Sequence, residues 1–354
     1  MIKVLIVDDS SFMRVRIRTL LETCSEIKVV GIARNGMDAV RKTVVLRPDV
    51  ITMDINMPDM SGIEAVELIM KQCPTPIIMV SSLSSDGANE TLEALEKGAV
   101  DYIHKDNLNE KNLIEKILIA KNAKLNINGH SAPKISKNII QETREKILAE
   151  TLRLQKTTEI LSGRRTFSII GIGISTGGPS ALAKVLPRIS AEIPASIVIA
   201  QHMPSAFTGP LAERLNRISA LHVKEAENGE QLIPGYAYIC PGGKHIMVEK
   251  KGIITLYDRE KFPNYHYCPS ASLLMASISR VYANNAMCII MTGMGSDGLE
   301  GVLEAKKNGS YVIAQSENSS VIFGMPKAII SNNLQDEIVH LDHIADRINE
   351  LCLE

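Results

Sequence analysis

Five apolar runs, at residues 4–7, 29–32, 50–53, 77–80 and 100–103, recur at near-even spacing through the first 120 residues. Amphipathic stretches of helical length separate them, at 12–22, 36–46, 62–71 and 87–97, and a last one starts at Glu110. Parallel strands must be joined by crossovers, usually helices. Five such alternations therefore predict a (βα)5 unit, a parallel sheet with helices on both faces. Sheets of this kind bind ligands at the carboxyl ends of their strands.

The chain then changes character. Residues 122–165 are rich in Lys, Arg, Asn and Ser, with apolar residues only loosely spaced at Ile140, Ile147, Leu148, Leu152 and Leu154. This reads as a charged, partly helical linker. From residue 166 to 354 strand signals return at 168–172, 196–200, 237–240, 252–257, 286–291 and 310–314. Helical stretches fall at 180–189, 211–219, 271–283 and 298–307, and 235–257 reads as an inserted hairpin. The expectation is a second doubly wound α/β domain with a mostly parallel sheet. The domains expected are 1–121, a linker, and 166–354.

Composition excludes several classes. The net charge is −1, so no global field draws nucleic acid or an anionic membrane. With no Trp and 4% aromatics, the chain is poor material for base stacking. No apolar run approaches the ~18 residues of a membrane span, and the first residues lack a signal-peptide pattern, so a cytoplasmic location is expected. The six cysteines are scattered without a CxxC pair and read as small buried apolar residues.

Acidic residues mark the strand ends of the first domain. Asp8 and Asp9 follow the first strand, Asp54 ends the third and Lys105 follows the fifth. On a parallel sheet these ends are neighbours. Three carboxylates together raise one another's pKa unless a cation compensates, and Mg²⁺ is the natural occupant. One carboxylate can then act as nucleophile toward a phosphoryl group. VDDS, MDINMPDMSG, the VSS at Ser81 and GAVDYIHK resemble the response-regulator receiver domain. The resemblance implies Asp54 as phosphoacceptor. It implies Mg²⁺ held by Asp8, Asp9, Asp54 and the backbone carbonyl of Asn56, and phosphosite support from Ser81, Tyr102 and Lys105. Receivers usually carry proline after this lysine; here Asp106 adds a charge and removes the rigid turn.

The stretch GIGISTGGPS, residues 171–180, follows the first strand of the second domain. It nearly fits GxGxxG, but Thr176 stands in place of the third glycine, and the next strand ends in Ala200-Gln201-His202 rather than an acid. A P-loop fails because no GK[ST] follows. GxSxG fits at 173–177: glycines allow a sharp turn that lifts the Ser175 hydroxyl off the sheet. A serine needs a base, and the base an orienter. His202 follows the next apolar strand, with His245 as runner-up. Asp297, in IIMTGMGSDG, follows another. Three catalytic residue types, each at the end of an apolar strand, predict a Ser-His-Asp triad in an unusual chain order.

ISTGGPSAL, QHMPSAFTGPLAERL, YICPGGKH, MTGMGSDGLEG and FGMPKA, behind a receiver, are similar to the chemotaxis protein-glutamate methylesterase family. The resemblance implies hydrolysis of glutamyl methyl esters, and deamidation of glutamines, on chemoreceptor cytoplasmic helices. It places the triad on Ser175, His202 and Asp297. The oxyanion hole is expected at the backbone of Thr176 and Met294, with no cofactor for the ester step. A chemotaxis histidine kinase is the implied phosphodonor; neither nucleic acid nor membrane insertion is expected. The family often has PSVD where this chain has PSAS, residues 269–272, so that loop is expected to face substrate at best. The competing readings are a receiver fused to a partner-binding domain and a general small-molecule esterase.

Overall fold

The computed structural model describes residues 1–81, 85–125 and 165–353. Most of the expected linker, residues 126–164, lies outside them. The first domain runs β1 (Ile2–Val7), α1 (Ser11–Glu22), β2 (Ile27–Ala33), α2 (Gly36–Leu46), β3 (Val50–Asp54), α3 (Gly62–Gln72), β4 (Ile77–Ser81), α4 (Ser85–Glu96), β5 (Asp101–His104) and α5 (Glu110–Lys121). Its sheet is parallel in the order β2-β1-β3-β4-β5. The helices begin where polar caps sit. Ser10, Asn35 and Asn109 accept amides of the first turns of α1, α2 and α5, and Ser61 with Glu64 forms a capping box on α3. β3 and β4 are buried along their whole length, as strands covered on both faces must be.

The second domain continues with β6 (Ile169–Ile174), α6 (Gly178–Val185), β7 (Ser196–Gln201), α7 (Ser205–Ile218), β8 (His222–Glu225), β9 (Tyr236–Ile239), β10 (Lys244–Glu249), β11 (Ile253–Asp258), α8 (Ala271–Tyr282) and β12 (Ala286–Ile290). It closes with α9 (Leu299–Lys307), β13 (Tyr311–Gln315), α10 (Met325–Ser331), β14 (Glu337–Val339) and α11 (Leu341–Leu353). Seven parallel strands lie in the order β14-β13-β12-β6-β7-β9-β8. The chain enters at central β6, builds one side, then returns to build the other from β12. The strand order reverses beside β6, which opens a crevice there.

Three details depart from expectation. The hairpin is only β10–β11, because β9 joins the main sheet. Helix α7 begins well before Pro210, which sits inside it and forgoes the bond to the Ala206 carbonyl. Cys73, Cys240 and Cys288 are buried as expected, but Cys24, Cys268 and Cys352 are only half-buried. Among the described residues, no helix is long and apolar enough to cross a membrane.

Candidate functional sites: an acidic pocket and a serine-histidine-aspartate cluster

Asp8, Asp9 and Asp54 meet at the carboxyl edge of the first sheet, with ligand oxygens all within 4.8 Å of one another. Lys105 Nζ reaches Asp54 Oδ1 at 2.9 Å. Burial, and next the charge of Asp54, push the Asp8 carboxyl up to about 6. Asp54 is also raised, chiefly by burial, against the pull of Lys105. Asp8 Oδ2 and Ser81 Oγ are buried without hydrogen-bond partners among the described residues. Crowded, desolvated carboxylates with an orphaned oxygen fit a hard divalent cation, whose charge offsets their repulsion. The side chain of Asn56 turns to Glu90 Oε2 at 3.1 Å.

Tyr102 is buried, its ring 4.5 Å from that of Phe207 on α7. Asp106 resolves the missing proline. Its amide, which proline would lack, donates to His104 Nδ1 at 3.1 Å and caps a short turn over 105–107, while its carboxylate faces solvent.

In the second domain, β6, β7 and β12 lie side by side and end together. Ile174 pairs with Gln201, and the His202 amide donates to Ile174 O at 3.0 Å. The Ser175 amide donates to Thr292 O at 2.9 Å, just past β12. Ser175 and His202 are thus next-door neighbours on adjacent strand tips, and both line one cavity of about 350 Å³. Gly177 holds the turn at φ 78°, and Gly293 passes so close that a Cβ there would lie 2.7 Å from Ser175 Cβ.

Asp297 Oδ2 meets His202 Nε2 at 2.8 Å. That pairing leaves Nδ1 as the other nitrogen, buried and without a partner among the described residues. Asp297 is held from every side: Oδ1 accepts from Ser270 Oγ at 2.9 Å and the amides of Ser272 and Gly298, and Oδ2 also accepts from the Ala271 amide at 2.7 Å. Burial opposes its charge, but the bond to His202 and the amides at the start of α8 outweigh it and hold the carboxyl at about 2. Tyr267 stacks on the His202 ring at 4.4 Å and 5°.

The loop 269–272 therefore faces the acid rather than a substrate, and Ser270 both caps α8 and orients Asp297. Gln201 is a second residue that spacing alone did not mark. Its Nε2 donates to the carbonyls of Ser175 and His202, tying the two strand tips together. The amides of Thr176 and Met294 have no acceptor among the described residues, and both residues line the cavity. His245 lies in β10 with both ring nitrogens buried and unpartnered among the described residues, and burial lowers its pKa.

The first domain lies across this cavity. Asp101, Tyr102, His104 and Lys116 form part of its wall, and Thr176 Oγ1 donates to Asp101 Oδ2 at 3.2 Å.

Two family models match the chain: the response regulator receiver domain over residues 4–118 and the CheB methylesterase over 170–348. A protein-glutamate methylesterase/protein-glutamine glutaminase of Lawsonia intracellularis is 43% identical, over 98% of each chain. One of the same name from Halalkalibacterium halodurans is 44% identical, over 99% of this chain and 98% of its own. The crystal structure of the Thermotoga maritima CheB methylesterase catalytic domain aligns with a TM-score of 0.50 at 36% identity, covering 52% of this chain and 99% of that one.

Proposed function

The chain belongs to the CheB methylesterase family, with a receiver domain ahead of the esterase, and on that premise we propose that it hydrolyses glutamyl methyl esters of chemoreceptor helices under phosphorylation control. The observation that carries the reading is the 2.8 Å contact of His202 Nε2 with Asp297 beside the Ser175 turn.

The atoms assign the steps. Asp297 accepts a hydrogen bond from Nε2–H and thereby fixes the tautomer with a lone pair on Nδ1. Nδ1 takes the Ser175 proton as Oγ attacks the ester carbonyl. The amides of Thr176 and Met294 donate to the resulting oxyanion, each worth ~3–4 kcal/mol in comparable sites. The Nδ1 proton passes to the departing methoxide, and methanol leaves. Water, deprotonated by Nδ1, then attacks the acyl-enzyme; Nδ1 returns that proton to Ser175 Oγ as it departs, and a glutamate remains. A glutamine amide follows the same path with ammonia as leaving group, which gives the deamidation.

Asp54 is the proposed phosphoacceptor, with phosphate supplied by a chemotaxis histidine kinase. Asp8, Asp9, Asp54 and the Asn56 carbonyl would hold Mg²⁺, which neutralises charge on the phosphoryl oxygens when bound. Ser81 and Lys105 bind the phosphoryl group, and Tyr102 follows the change at its ring. Phosphorylation then biases the receiver away from the cavity it covers.

Methanol release from methylated receptor membranes tests the reading. Ser175→Ala should abolish it while Asp54 still accepts phosphate; persistent release would refute the nucleophile. Acetyl phosphate with Mg²⁺ should stimulate the wild type and not Asp54→Ala; equal stimulation of both would remove the control claim.

A further inference from the structure

Helix α5 is apolar on two faces. Leu113, Ile117 and Ala120 are buried in the receiver core. Ile114, which also packs against the receiver core, lines with Leu118 and Ile119 a cleft of about 930 Å³. Its far wall belongs to the esterase domain and consists of Met294, Val321, Ile322 and Phe323, with Lys327 at the rim. The Lys124 amide closes one end on Val321 O at 3.0 Å, and Lys124 Nζ pairs with Glu317 at 3.0 Å. Between these ties Val321 packs against the receiver core, but Leu118 stays 38% exposed. Interior packing normally leaves few voids larger than a water. An apolar cleft of this size that stays open beside Leu118 marks a surface suited to another occupant.

The smaller cavity identifies that occupant. Met294, Glu115 and Ile119 line both the Ser175 cavity and this cleft. A glutamyl side chain is short, so the backbone bearing the ester must run close to Ser175 and out along Met294. We propose that the wall of Met294, Val321, Ile322 and Phe323 is the docking surface for the helix carrying the scissile ester, and that α5 covers this wall in its place. Ile114 and Leu118, one turn apart, face the wall as the apolar ridge of an incoming amphipathic helix would. Lys327 is exposed and has no ion pair among the described residues. It meets the carboxylates that demethylation leaves on the same helix. The proposal rests on the esterase reading above.

The test uses the full chain, saturating acetyl phosphate and Mg²⁺, and methylated receptor membranes. Phe323→Ala and Lys327→Glu should each raise KM for the receptor at least fivefold while kcat falls less than twofold, and Phe323→Leu should restore most of the loss. A fall in kcat at constant KM, or no change in either constant, overturns the docking surface. Without phosphodonor, Leu118→Ala should increase receptor turnover at least twofold; an unchanged rate overturns the role of α5 as its cover. A wild type that releases no methanol at all would instead sink the esterase reading.

Discussion

The polar grip on Asp297 bears on acid stability and on the chemistry proposed for it. Its carboxyl is held at about 2 against an ordinary value of 3.8. A depressed carboxylate stabilises the fold above its unfolded pKa, and that stabilisation is lost as pH falls from about 4 through about 2. The shift corresponds to roughly 2 kcal/mol. Urea titrations should show this loss in wild type and a flatter dependence between pH 4 and 2 in Asp297→Asn. The same variant offers an amide that no longer enforces the Nε2–H tautomer, so kcat for methanol release should drop by about 10³–10⁴-fold. Ser270→Ala removes one of five donors and should cost about tenfold, measured in the same assay. Ser175, His202 and Asp297 were legible because each terminates an apolar strand or its turn. Ser270, Gln201 and Tyr267 were not. They act through loop contacts across long sequence separations, and no periodicity encodes such contacts.

At the scale of elements, the β6–α6 turn depends on backbone that only glycine supplies readily. Gly177 has φ 78°, and a Cβ there would stand 2.7 Å from Val321. Gly177→Ala should lower unfolding free energy by about 1–3 kcal/mol, read from urea midpoints, and impair methanol release more than that loss explains. The five βα units of the receiver were readable because apolar period and polar caps agree at almost every boundary. Strands β8 and β14 escaped notice: four and three residues long at the two sheet edges, they carry too little pattern. The PSAS loop was misjudged because the absent carboxylate drew attention, whereas the serine hydroxyl and two backbone amides do the holding.

Over the whole molecule, receiver and esterase share one apolar core that runs through Leu95, Tyr102 and Phe207. Polar ties flank it: Arg214 pairs with Glu96 through two hydrogen bonds, and Ser180 Oγ donates to Leu95 O at 2.6 Å. Arg214→Ala should raise unphosphorylated methanol release severalfold, with less effect at high salt, where screening already weakens the pair. Mg²⁺ should raise the melting temperature of the wild type, and EDTA should reverse it; Asp8→Asn with Asp9→Asn should abolish the response in calorimetry. Strand β5 joins these observations. At its start Asp101 receives Thr176, beside Ser175, the proposed nucleophile; its second residue, Tyr102, meets Phe207; Lys105, just beyond its end, grips Asp54. Five consecutive residues span the two chemistries, with no joint between them. On the proposed reading, a shift of Lys105 on phosphorylation of Asp54 would reach Thr176 along one unbroken strand, with no hinge to absorb it.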